Sequence, residues 1–180
     1  ALRMSELKCL SVKISTLYSQ ISPIARRHSI DKVADRLEAL YRIALSKADP
    51  ETKRSKFVYL DMEEYRDLHL TAAVLCNALD RESMQNVSAG IALQAYVPDS
   101  FDVMMRLIDW SRQRVAQGGQ PLTIRLVKGA NLEMERVDAS IQGWPQAPYR
   151  TKRETDANFK SMLRQLIAAA AEGVIRVGVA

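Results

Sequence analysis

The sequence predicts an α/β fold of the (β/α)8 barrel type, on three observations. Five short apolar segments of strand length alternate with amphipathic segments of helical length. Each helical segment carries one apolar stripe and a polar back, as a helix packed against a sheet requires. Four successive strand segments carry a single polar residue in the same phase, which an ordinary doubly wound sheet does not accommodate.

The elements follow in order. CLSVKIS (9–15) is the first strand segment, and SIDKVADRLEALYRIAL follows with Ile30, Val33, Leu37, Leu40 and Ala44 at helical spacing behind Ser29 as the expected N-cap. The charged, turn-prone SKADPETKRSK (46–56) reads as a surface connection to the second strand, FVYLDM (57–62). Leu68, Ala72, Leu75 and Leu79 mark the second helix, with His69 on its solvent side. GIALQAYV (90–97) is the third strand. Phe101, Met104, Met105, Ile108 and Val115 mark a helix that starts after Pro98, with Ser100 as its expected cap, and stops at Gly118-Gly119. LTIRLVKGA (122–130) is the fourth strand, and a long connection from 131 to about 153, rich in Gly, Trp and Pro, follows it. Within it Glu133, Glu135 and Asp138 suit a solvated helix equally well. Phe159, Met162, Leu163, Leu166, Ile167 and Ala170 make the fourth helix, and VIRVGVA (174–180) the fifth strand. Strands alternating with helices pair in parallel through crossovers.

Composition narrows the function classes. At 180 residues, with 47% hydrophobic and 26% charged content, the chain can bury one sizeable core. Its net charge of +5 is spread along the length without a basic stripe interleaved with aromatics, so no nucleic-acid partner is expected. Two isolated cysteines and two histidines give no metal-ligand spacing and no disulfide framework, and they suit a reducing, cytoplasmic setting. No apolar run reaches the ~20 residues that span a bilayer.

The polar residues inside the strands carry the chemistry. They are Lys13 between Val12 and Ile14, Asp61 between Leu60 and Met62, Gln94 between Leu93 and Ala95, and Arg125 between Ile124 and Leu126. Alternation along a strand points each polar side chain away from its apolar neighbours. In a doubly wound sheet that face would be buried under helices, at several kcal/mol for each unpaired polar group. In a barrel it faces the interior, whose C-terminal mouth is the active-site end. Structural ion pairing among Lys13, Asp61 and Arg125 explains any one of these residues equally well. Lys128 falls on the opposite face from Arg125 by strict alternation, and only a turn at Gly129 could bring it inward.

LSVKIS, YLDMEEYRD, GIALQAYVPDS, TIRLVKGA and TKRETDANF, in this order and spacing, resemble the proline dehydrogenase barrel of the bifunctional proline utilisation flavoenzymes, over nearly the whole chain. The resemblance implies an FAD cofactor and oxidation of L-proline to 1-pyrroline-5-carboxylate by hydride transfer to flavin N5, as a step of proline catabolism towards glutamate. It implies that Arg125 lies by the N5 and O4 edge, stabilising the reduced flavin, and that Gln94 bonds the same ring. Met62, Lys128, Gly129 and Ala130 would line the cofactor, with Lys128 near its phosphate or ribityl part. Lys13 would face the proline carboxylate and Asp61 the reacting amine. A quinone is the implied electron acceptor, and the location is cytoplasmic or peripheral at the inner face of the membrane.

Asn131-Leu132 departs from the aromatic pair that often follows KGA in that family. A complete barrel typically takes about 250 residues, so residues 1–180 are expected to form part of one barrel domain. Its C-terminal strands, and an aldehyde dehydrogenase domain, would belong to a parent chain. Two other readings fit the same residues: a Schiff-base lyase or aldolase using Lys13 or Lys128 as the amine, and a non-catalytic α/β interaction module whose polar residues merely pair.

Overall fold

The computed structural model describes the chain apart from positions 1, 3, 5, 23, 53 and 130. Strands β1 (Cys9–Val12), β2 (Phe57–Leu60), β3 (Ala89–Gln94), β4 (Leu122–Val127) and β5 (Ile175–Val179) form a single parallel sheet in the order β1-β2-β3-β4-β5. Every connection therefore steps one place in the same direction. With crossovers of one hand, this puts the helices on one face and leaves the other face as the inside of a barrel. An open doubly wound sheet would instead reverse direction at a switch point. Five strands do not close the barrel, which is open at β1 and β5.

The helices are a short α1 (Ile14–Leu17), α2 (Arg26–Ser46), α3 (Leu68–Leu79), α4 (Ser100–Ala116), α5 (Leu132–Gln142) and α6 (Lys152–Ala171). Val33, Leu37 and Tyr41 of α2, Val74 and Leu75 of α3, Met104 and Leu107 of α4, and Met162 and Leu166 of α6 form one buried core. They pack with Val58 and Leu60 of β2, Ile91 and Leu93 of β3, and Ile124 and Leu126 of β4. The apolar stripes and the strands' apolar phase thus meet on the outer face of the sheet. His69 is exposed and Met104 is wholly buried, as their positions in the stripes imply.

Several boundaries differ from the sequence expectation. β1 ends at Val12 and β2 at Leu60, so Lys13 and Asp61 lie just beyond the strands rather than inside them; Lys13 precedes the short turn of α1. Ser29 is not an N-cap. Helix α2 begins three residues earlier, and Ser29 is buried within it, its Oγ accepting from the Ser22 N–H at 3.0 Å. Ser100 is likewise inside α4, fully buried, and Asp99 holds the cap position. The connection after β4 contains α5, which Gly143 ends in a left-handed conformation at φ 67°. Helix α6 starts at Lys152, where Thr151 and Glu154 form a reciprocal capping box.

One buried cation organises the end of the sheet opposite the mouth. Arg114 of α4 donates to the carbonyls of Leu79 (2.7 Å), Met84 (2.5 Å), Gln85 (3.1 Å) and Gln120 (3.1 Å). It ties the turns that lead into β3 and β4, adding a second donor to the Met84 and Gln85 carbonyls, which also accept from the Val87 and Gln120 N–H groups.

Candidate functional site at the mouth of the open barrel

On the inner face of β3 stand two small residues, Gly90 and Ala92, and their size decides what crosses the strand. A Cβ on Gly90 would lie 2.6 Å from Tyr59 Cε1 and 2.8 Å from the Thr123 carbonyl, so glycine is what lets the Tyr59 ring lie across the sheet. Arg125 pairs in register with Ala92, one residue past the Ile91–Leu60 pair that precedes Asp61, so Arg125 and Asp61 share a row. The guanidinium passes over Ala92 and its Nη2 donates to Asp61 Oδ1, while its centre lies 5.1 Å from the Tyr59 ring centroid. Ser11 Oγ donates to the other carboxylate oxygen of Asp61. Arg125 Nε is buried and has no hydrogen-bond partner among the described residues. The pair is about a third exposed, so it looks onto the mouth rather than into closed protein.

Two residues further along the same phase, Glu63 holds a second group. Lys13 Nζ lies 3.3 Å from Glu63 Oε1, Ser15 Oγ donates to Glu63 Oε2 at 2.5 Å, and the buried Gln94 makes a long contact of 3.5 Å from Nε2 to the Glu63 carbonyl. Lys13, Asp61, Gln94 and Arg125 therefore converge on one face at the strands' C-terminal ends. Lys13 is paired with Glu63 and Arg125 with Asp61.

The other residues singled out by sequence lie elsewhere. Met62 is buried in the outer core, as alternation from Asp61 requires. Lys128 turns towards α6: its Nζ pairs with Asp156 Oδ1 at 2.8 Å and lies 5.8 Å from the Phe159 ring centroid. Lys152 also pairs with Asp156, at 2.5 Å. The hydrogen bonds from Lys128 and then Lys152 pull the Asp156 carboxyl down to about 2. Gly129, at φ 156°, sits against Tyr96, where a Cβ would fall 2.2 Å from Cδ1. Lys128 and Gly129 line a cleft of about 340 Å³ with Tyr96, Arg136, Arg150, Thr151 and Lys152. The cleft joins four cations, two of them paired with Asp156, which lines it as well, to the positive end of the α6 dipole. That donor set suits a phosphate-bearing group. Ala130 lies outside the described residues.

Ser11, Tyr59, Glu63 and Asp156 contact the candidate residues and are not among those the sequence singles out. The first three share the phase of Lys13 and Asp61, so alternation carried two residues further would have found them. Among the described residues no cluster of His, Cys, Asp and Glu has the makings of a metal site, and no helix is long and apolar enough to cross a membrane.

Comparison with known proteins gives the family and the fold. Residues 3–180 match the family model described as proline dehydrogenase. No curated protein sequence matches the chain. Proline utilization A from Corynebacterium freiburgense is 40% identical, with a TM-score of 0.90, covering 99% of this chain and 18% of its own. Proline utilization A from Bdellovibrio bacteriovorus, solved after inactivation by N-propargylglycine, is 35% identical with a TM-score of 0.83, covering 94% of this chain and 16% of its own. A proline utilization A from Bradyrhizobium japonicum, at 24% identity and a TM-score of 0.82, shares the fold. The chain thus spans less than a fifth of the length of these solved proteins, and over its own length it belongs to the proline dehydrogenase family.

Proposed function

We propose that the protein containing this chain oxidises L-proline to 1-pyrroline-5-carboxylate with FAD as cofactor, as a step in proline catabolism to glutamate. The observation that carries the reading is the convergence of Lys13, Asp61, Gln94 and Arg125 on the inner face, within a chain of the proline dehydrogenase family. The residues fit the cofactor on the structure's own terms. Arg125 carries a buried Nε–H with no partner among the described residues, on the same face as Gln94, and the cleft at Lys128 and Gly129 suits phosphate. When bound, the flavin supplies the two-electron acceptor for the hydride that proline loses from the ring carbon beside its nitrogen.

The chain's own residues then have distinct tasks. Arg125 and Gln94 hold the cofactor ring, and the fixed charge of Arg125 favours electron density arriving beside it. Lys128 and its cationic neighbours hold the phosphate portion. Lys13 orients the proline carboxylate, exchanging its Glu63 partner for it, and Asp61 holds the substrate nitrogen and the proton it releases. The remaining barrel strands and an aldehyde dehydrogenase domain would come from the parent polypeptide, a quinone would reoxidise the cofactor, and the location would be cytoplasmic or at the inner membrane face.

The test is the visible spectrum of the purified parent protein. A yellow protein whose flavin bleaches when proline is added without oxygen supports the reading. A colourless protein, or a flavin indifferent to proline, overturns it.

A further inference from the structure

Helix α5 is amphipathic the wrong way round for a surface helix. Its inward side carries Leu132, Glu135 and Ala139: Leu132 packs on the core, Glu135 accepts the Tyr65 N–H at 2.6 Å, and Ala139 is buried. Its outward side carries Met134, Val137 and Ile141, spaced three and four residues apart, which is one stripe of a helix. Gly143 turns the chain at the helix end, and Trp144, whose N–H donates to the Ala139 carbonyl at 2.9 Å, extends the stripe. These four are half of the eight large apolar side chains exposed among the described residues, gathered on three turns of chain. Ile141 is 73% exposed and Trp144 57%. Scattered apolar residues on a surface need no explanation, whereas a continuous stripe does.

We infer that this stripe is a docking face for a segment of the parent polypeptide lying outside residues 1–180. Four such side chains expose on the order of 400–500 Å² of apolar surface, about the apolar share of a standard interface face, so area alone suits a tethered segment or a second copy. A tethered segment does not bear the translational cost of association, so a patch of this size suffices for it. The lengths agree, since in the solved relatives more than four-fifths of the polypeptide lies outside the part matched here.

The rim gives the segment's chemistry. Beside the stripe lies a cleft of about 620 Å³, between α5 and the connection from β2 to α3, lined by Trp144 and by three carboxylates, Glu64, Glu135 and Asp138, against one cation, Arg66. Arg66 is already engaged with Glu64 at 2.5 Å. The docking segment therefore presents apolar side chains to the stripe and a Lys or Arg to the Glu135–Asp138 side of the cleft. This inference rests on α5 alone and does not depend on the reaction.

The experiment uses the full-length parent with Cys9, Cys76 and any further cysteines replaced, carrying Ile141→Cys or Val137→Cys, and follows maleimide labelling against the same protein in urea. Labelling slowed by about 100-fold or more, and unchanged on diluting the protein about 100-fold, supports an intrachain partner. Labelling within about 5-fold of the unfolded rate overturns the inference. Protection lost on dilution assigns the face to a second copy instead, and protection that appears only with anionic lipid vesicles assigns it to a membrane. Adding Asp138→Lys to the Ile141→Cys protein should speed labelling by about 10-fold, and an unchanged rate contradicts the basic side chain. Neither arm reads proline turnover, so failure here is distinguishable from failure of the proposed reaction.

Discussion

Arg125 on β4 reaches across β3 to Asp61 at the end of β2, and Ala92 is the residue small enough to let it pass. The contact joins two strands that are not neighbours in the sheet. Its two members should therefore be energetically coupled in the parent protein. Asp61→Asn and Arg125→Met are each expected to destabilise, and the double variant by less than their sum, with a coupling of about 1–2 kcal/mol for a pair a third exposed. Urea unfolding of the four proteins checks this, and strict additivity would mean that the pair does not form in solution.

Gly129 leaves no room for a methyl group against Tyr96. Gly129→Ala should displace Tyr96 or the end of β4, and so disturb the cleft that Lys128 lines. Loss of at least about tenfold in FAD affinity is expected, together with a lowered unfolding midpoint, because Tyr96 both lines the cleft and belongs to the buried core. Cofactor titration of the apoprotein measures it, and wild-type affinity would show that this backbone does not approach the cofactor.

The carboxyl of Asp156 lies at about 2 in the folded chain against an ordinary 3.8. Because the folded value is the lower one, its contribution to stability is complete above about pH 4 and is lost as the pH falls towards 2. The side chain is about 30% exposed, so solvent screening keeps the effect modest. The difference in Tm between the parent and its Asp156→Asn variant should be largest near pH 5 and vanish towards pH 2. A difference that does not change with pH would assign Asp156 a purely steric part.

Arg114 donates to four carbonyls at once, two of them in the turn that leads into β3. Arg114→Met keeps much of the volume and removes four hydrogen bonds, although the Met84 and Gln85 carbonyls keep backbone donors from Val87 and Gln120. A loss on the order of 3–5 kcal/mol is expected, with little change in proline KM, since the residue lies at the opposite end of the strands from the mouth. Calorimetry together with steady-state kinetics tests both halves.

The parts of the fold legible in the sequence are those written in side-chain periodicity. The stripes of α2, α3, α4 and α6 and the phase of Lys13, Asp61, Gln94 and Arg125 follow from where apolar residues recur. Strand ends do not, because backbone pairing closes them: nothing in KIS or DME says that the ladder stops at Val12 and Leu60. Ser29 and Ser100 look like caps by residue type, yet each is buried inside a helix whose start is fixed by neighbouring packing. Helix α5 was open to two readings because its apolar residues face outward and its inward side holds Glu135, the reverse of the usual signal. Asp156 escaped notice because its partner Lys128 becomes a neighbour only once α6 folds back over the end of β4.

In the proposed function, Arg125 acts on the cofactor during proline oxidation. That role is tested most directly by stopped-flow, anaerobic reduction of the flavin by proline in the parent protein and its Arg125→Met variant, both loaded with FAD. The variant keeps side-chain volume and removes the charge. The expected result is a reduction rate lower by a factor on the order of 100 or more at saturating proline. A rate equal to that of the parent, with FAD still bound, would show that Arg125 serves only to hold Asp61 and the sheet.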